Sequence, residues 1–195
     1  LKKYGHDSCA DWPHFVGGFA EYCYITPGTC VIRVPDELTD EEAAPANCAL
    51  ATVVAGWDAI AVRPFENVLI QGAGALGVYA AALASHYGCR RIIVSDVMEH
   101  RLDFVKKFGA TDTINSKELT DGEVIDTVKE LTDGFGVDAV MELAGFPPLL
   151  PLGLKCLRTG GRLVEIGNAF AGALFNCDAS DIVFRCLTIR GVHNY

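Results

Sequence analysis

Gln71-Gly72-Ala73-Gly74-Ala75-Leu76-Gly77 decides the fold of this chain. Before it stands Asn67-Val68-Leu69-Ile70, the pattern of a buried strand; after it Val78 to Tyr87, closed by Gly88, has the pattern of a helix. A glycine-rich turn between strand and helix is suited to phosphate. Gly72 permits the tight turn, Gly74 lets backbone N–H groups come close to a pyrophosphate, and Gly77 lets the helix pack against the strand. The next apolar run, Arg91-Ile-Ile-Val-Ser-Asp96, ends in a carboxylate 19 positions after Gly77. A dinucleotide-binding fold places there the acid that accepts hydrogen bonds from the adenosine ribose. The bland alternative is a glycine turn in another α/β protein, with Asp96 a solvated strand-end residue.

Working outward, strand and helix patterns alternate. A helix is expected near 98 to 108, with Leu102, Val105 and Phe108 as its stripe and Gly109 as its stop, followed by a strand at 112 to 114. Thr120-Asp-Gly-Glu123 has capping-box spacing and opens a helix buried through Val124, Val128 and Leu131. A fourth strand at 138 to 143, a proline-led helix reaching about Leu157, a fifth strand at 162 to 166, a short helix at 178 to 184 and a sixth strand at 186 to 192 complete the series. The expected fold class is α/β, a doubly wound parallel sheet of Rossmann type in the order 3-2-1-4-5-6.

Toward the N-terminus the pattern changes. Residues 1 to 17 show little periodicity and read as loop; Gly17 to Ile25 and Val31 to Val34 alternate as two short strands joined by a Pro27-Gly28 turn. Thr39 to Glu42 repeats the capping-box spacing, and Ala46 to Val62 is apolar almost all round, as in a buried linker helix.

Composition bounds the function. A net charge of −9 and a pI near 4.9 argue against a nucleic-acid or anionic-membrane surface. The eight cysteines form no C-x-x-C pair and no cysteine-histidine knuckle, so neither a disulfide framework nor a zinc ribbon is indicated, and a reducing, cytoplasmic setting is expected. The chain starts at Leu1 without methionine and ends inside an apolar run, which reads as part of a longer protein.

Gly17 to Tyr22, Cys48 to Thr52, Gly72 to Gly77, Asp96, Phe108-Gly-Ala-Thr-Asp112 and Gly160-Gly-Arg-Leu-Val-Glu-Ile-Gly167 occur in the order found in the zinc-containing alcohol dehydrogenases. Over nearly its whole length the chain resembles that family, part of the medium-chain dehydrogenase/reductase superfamily. Val34-Pro-Asp-Glu-Leu38 and Ala43-Ala-Pro-Ala-Asn-Cys-Ala49 look like the branch associated with phosphonate breakdown. The resemblance implies a remnant of a GroES-like catalytic domain at 1–45 and an NAD-binding domain at 46–195.

It also implies roles. Gly72, Gly74 and Gly77 would serve the pyrophosphate, Asp96 and Arg101 the adenosine ribose, Leu76 and Thr52 the nicotinamide, and the backbone at Ile166, Val192 and Asn194 its carboxamide. Cys48 falls where the family has a catalytic zinc ligand; read from spacing alone it is equally a small buried helix residue. The other zinc ligands and the structural zinc lobe would lie upstream of Leu1, so zinc is expected only in a full-length parent and the piece alone is expected to be inactive. Hydride transfer between an alcohol and NAD is the implied activity, with a small alcohol or carbonyl compound as substrate and a homodimer joined through residues 186 to 193. A zinc-free quinone or enoyl reductase of the same superfamily, or a non-catalytic nucleotide-binding module, are the other two readings.

Overall fold

The computed structural model describes residue 8 and residues 10–14, 16–168 and 170–193. Its contacts divide the chain into Leu1–Thr39 and Asp40–Tyr195. In the first unit the described residues contain no helix and no strand. The Pro27-Gly28 turn does form, with Gly28 at φ +86 and the Thr29 N–H donating to the Thr26 carbonyl at 3.2 Å. The two strands expected on either side of it do not. Phe19, Tyr22, Val31 and Ile32 are all exposed, and a two-stranded ribbon with no layer to cover its apolar face is marginal in water.

The second unit opens with α1 (Asp40–Ala43), where the acidic turn is expected. The single helix expected over 46 to 62 is instead a π-helical turn (Ala46–Leu50) running into α2 (Ala51–Ala59). The Pro45 carbonyl accepts from the N–H groups of both Ala49 (3.0 Å) and Leu50 (3.4 Å), and this widens the first turn. As a result Cys48 is exposed rather than buried, while Thr52, Val53, Gly56 and Trp57 face inward.

From here β1 (Asn67–Gln71), α3 (Ala75–His86), β2 (Arg91–Asp96), α4 (Glu99–Lys106), β3 (Asp112–Asn115), α5 (Asp121–Leu131), β4 (Val137–Glu142), α6 (Leu149–Cys156), β5 (Leu157–Glu165), α7 (Ala179–Phe184) and β6 (Thr188–Gly191) follow in alternation. Among the described residues they build one six-stranded parallel sheet in the order β3-β2-β1-β4-β5-β6. The Thr120 capping box is present in both directions. Two boundaries move. β5 begins at Leu157, ahead of the Gly160-Gly161 pair, with a register shift against β4 between Val137 and Ala139. β6 is shorter than expected, because Cys186 takes φ +51 and the Leu187 N–H returns to the Ile182 carbonyl at 2.9 Å.

Alternation along the strands divides the core between the two faces of the sheet. Val68, Ile70, Ile92, Val94, Met141 and Val164 pack with Trp57 of α2, Ala80 of α3 and Leu102 of α4. Leu69, Ile93, Val140 and Leu163 pack with Val124 of α5 and Leu154 of α6. Each such buried aliphatic side chain contributes about 1.5–3 kcal/mol. Trp57 is fully buried, and its indole N–H donates to the Ala80 carbonyl at 3.3 Å. This layered packing holds the carboxyl ends of β1, β4, β5 and β6 side by side.

Candidate cofactor site

The turn after β1 is built from backbone. The Gly72 N–H donates to the Ser95 carbonyl at 2.8 Å, and its φ of +107 lies where an L-residue is strained. A Cβ on Gly72 would also press on Ala144 at 3.0–3.2 Å. At Gly77 a Cβ would fall on the Gly72 carbonyl oxygen, well inside contact distance. Gly74 differs: it is extended (φ −75, ψ −166), and a Cβ there would meet nothing within 4 Å. No side chain caps the N-terminus of α3, which leaves the positive end of its dipole without a side-chain partner.

Asp96 stands beside this turn. Its Oδ2 accepts from the Ala73 N–H at 2.7 Å and its Oδ1 from the Met98 N–H at 2.9 Å; the side chain is only 7% exposed. A carboxylate has about four acceptor positions, so two remain after these bonds. Arg101, half exposed on α4, brings a guanidinium nitrogen to 3.9 Å from Oδ2.

A second group gathers at the ends of β5 and β6. Glu165, Ile166, Asn168, Gly191, Val192 and His193 line an open pocket of about 270 Å³. Ile166 and Val192 therefore line one pocket, while Asn194 lies outside the described residues. α2 reaches the same place, since a Cβ on Gly56 would lie 2.7 Å from Ile166 Cδ1, and Thr52 sits one turn earlier on that helix, buried. Leu76 is partly buried against the core cluster that includes Trp57 and Ile166.

Sequence reasoning missed a polar cluster beneath this pocket. Glu142 is fully buried and accepts from the N–H groups of Ala144 and Gly145, both at 2.9 Å, and from Asn168 Nδ2 at 3.3 Å. Burial and the facing Glu165 push its carboxyl up to about 7, against the pull of those two N–H groups. The visible signal was an acid inside the apolar run Ala139-Val-Met-Glu-Leu143.

Cys48 does not gather a metal-ligand set. A catalytic zinc takes three protein ligands, and among the described residues no group of three or more histidine, cysteine or acidic side chains could hold a metal ion. The described residues therefore do not fit the metal. The purified 195-residue chain is expected to lose zinc on dialysis against a mild chelator. Stoichiometric zinc by elemental analysis after that step would contradict this.

The fold defines a Rossmann-type α/β domain. Residues 75–195 match the family model described as zinc-binding dehydrogenase, and the chain belongs to that family. It is 35% identical over 181 residues to the L-threonine 3-dehydrogenase of Colwellia psychrerythraea, covering 91% of this chain and 50% of that protein. An alcohol dehydrogenase structure from Thermotoga maritima superposes with a TM-score of 0.86 at 27% identity, over 96% of this chain and 52% of that one. A protein of Sinorhizobium meliloti 1021 described as a zinc-binding dehydrogenase, solved with NADP bound, gives a TM-score of 0.72 at 25% identity, over 83% of this chain and 46% of that one. The chain thus spans about half the length of the curated relatives it matches.

Proposed function

We propose that this chain is the cofactor-binding part of an oxidoreductase that moves a hydride between an alcohol and NAD. The observation that carries it is the pairing of the open backbone cradle at Gly74 with the engaged carboxylate of Asp96. The uncapped α3 terminus would hold the diphosphate, and Asp96 would accept from the ribose hydroxyls on its two remaining lone pairs. Ile166, Val192 and Asn194 would orient the nicotinamide amide, with Thr52 and Leu76 against the ring. When bound, the nicotinamide supplies the hydride acceptor; the chain's part is to orient it and exclude water. The relatives named above are described as alcohol and threonine dehydrogenases, which supports a small alcohol or carbonyl substrate.

The seven described cysteines are free, which fits a reducing compartment such as the cytoplasm. Among the described residues no helix is long and apolar enough to cross a membrane.

Arg101 favours a second reading, NADP, because a guanidinium is the partner a 2′-phosphate needs. Against it, the Asp96 charge beside Arg101 largely offsets that positive charge and repels a phosphate. NAD is therefore expected to bind about tenfold or more tightly than NADP, a difference of about 1.4 kcal/mol per factor of ten. Calorimetric titration with both cofactors tests this. Asp96→Asn, which keeps an acceptor oxygen and removes the charge, should narrow the gap by freeing Arg101. Equal or tighter NADP binding in the unaltered protein would reject the reading, and failure to bind either cofactor would reject the function.

A further inference from the structure

Glu142 ends β4 and lies in register with Glu165 at the end of β5, so two acids from neighbouring strands meet at the carboxyl edge of the sheet. Each holds a turn. Through Oε1, Glu142 takes the Ala144 and Gly145 N–H groups of the turn after β4. Glu165 Oε1 takes the Asn168 N–H at 2.7 Å and its Nδ2 at 2.9 Å, fixing the turn after β5. Asn168 Nδ2 also reaches Glu142 Oε2 and ties the two acids together.

The turns themselves meet backbone to backbone. A Cβ on Gly145, whose φ is +71, would lie 2.6 Å from the Gly167 carbonyl oxygen, and one on Gly167 would lie 2.5 Å from Glu142 Oε2. Glu165 Oε2 is buried with no partner. Two anions in this position would repel each other. A proton held on Glu142, which hydrogen-bonds the Glu165 side chain, would supply the donor that the orphan oxygen lacks. Glu165, Ile166 and Asn168 then present this arrangement to the pocket, whereas Glu142 lies beneath it.

We infer that Glu142 is a positioning residue for the nicotinamide end of the cofactor: with Glu165 and Asn168 it locks the turns after β4 and β5 together and so shapes the pocket at Ile166 and Val192. This rests on the cofactor reading above. From β5 the titratable group facing Glu142 is Glu165, and from β1 the register partner is the uncharged Gln71. His193, after β6, lines the same pocket.

The sign follows from the raised Glu142 carboxyl. Relative to an unfolded value of 4.5, the stabilising contribution is complete below that pH and lost as pH rises through about 7. Over the same rise that proton leaves, the carboxylates repel, and the pocket loosens.

The test compares NADH with ADP-ribose, which lacks the nicotinamide, by binding titration from pH 6 to 8 in a His193→Asn background without the imidazole. NADH affinity is expected to fall with rising pH while ADP-ribose affinity stays level. Glu142→Ala should weaken NADH by about tenfold and ADP-ribose by no more than about twofold. Glu142→Gln keeps an acceptor oxygen for the turn and offers an N–H to Glu165 but gives up the acceptor for Asn168 Nδ2, so it should weaken NADH by no more than about threefold and flatten the pH profile. Since the alanine variant risks misfolding, the glutamine profile is decisive by itself. A pH fall that persists in Glu142→Gln, or an unchanged NADH to ADP-ribose ratio in folded Glu142→Ala, would overturn the inference while leaving the cofactor reading intact. If the unaltered protein binds neither ligand, both fall together.

Discussion

Alanine at Gly77 is expected to destabilise the fold by on the order of 3 kcal/mol or more, whereas alanine at Gly74, three residues away, should leave stability within about 0.5 kcal/mol. The difference comes from what each new methyl meets. At Gly77 it would strike the Gly72 carbonyl, which is backbone and held by the Gly72 N–H bond to Ser95. Neither α3 nor β1 can move away without disturbing Ile70 and Ala80, both fully buried. At Gly74 the methyl would enter open space from a backbone conformation that any L-residue adopts. On the cofactor reading proposed above, that space is the one a diphosphate would occupy. Gly74→Ala should therefore lower NADH affinity about tenfold or more while the melting curve hardly moves. For a domain of this size Gly77→Ala should lower Tm by roughly 6–12 °C. Thermal melts and NADH titrations of the two variants give a crossed pattern. A stable Gly77→Ala, or a Gly74→Ala that binds NADH normally, would show that the turn does not work as a cradle.

The same two glycines show why this part of the fold was legible in the sequence. β1, the turn, α3 and β2 are contiguous, so the strand period, the glycine spacing and the helix pattern all sit within one short window. The sheet order followed from alternation with right-handed crossovers together with the dinucleotide-type glycine turn, which goes with the order 3-2-1-4-5-6 rather than 2-1-3-4-5. Elsewhere the signal was local and the outcome was not. Phe19 to Ile25 alternate between two faces as strand residues should, but alternation states only which face needs cover. Among residues 1 to 39 those side chains remain exposed. Cys48 read as a buried helix position until the bifurcated bonds at the Pro45 carbonyl turned it outward. Glu142 was missed for the opposite reason, since its meaning depends on Asn168, 26 positions away, and on the strand register that places Glu165 opposite. Two acids in separate apolar runs carry no mark of meeting.

The second large effect concerns assembly, and we propose that the protein forms a two-fold dimer through β6. The sheet has two edges of unequal character. At β3, Asp112 is bridged by Arg91 at 2.9 Å and Asn115 is polar, so that edge is guarded by polar and charged groups. β6 is exposed along its whole length, and Val183 and Phe184 at the end of α7, just before it in the chain, are exposed as well. Pairing with a second copy of β6 would satisfy both edges at once, in the symmetry commonest among soluble oligomers. Direction of the N–H groups makes a clean test available. The Val192 N–H donates to the Glu165 carbonyl at 3.0 Å, and N–H groups alternate sides along a strand. Those of Arg190 and Thr188 therefore also turn toward β5, while that of Ile189 faces the free edge. Ile189→Pro removes a donor only from that edge, and Ile189→Lys adds a charge there. Light scattering at micromolar concentration should give twice the 20.9 kDa chain mass for the unaltered protein and the single mass for either variant, with the melting transition still cooperative. A monomer before substitution, or a dimer that survives both substitutions in folded protein, would remove β6 as the interface.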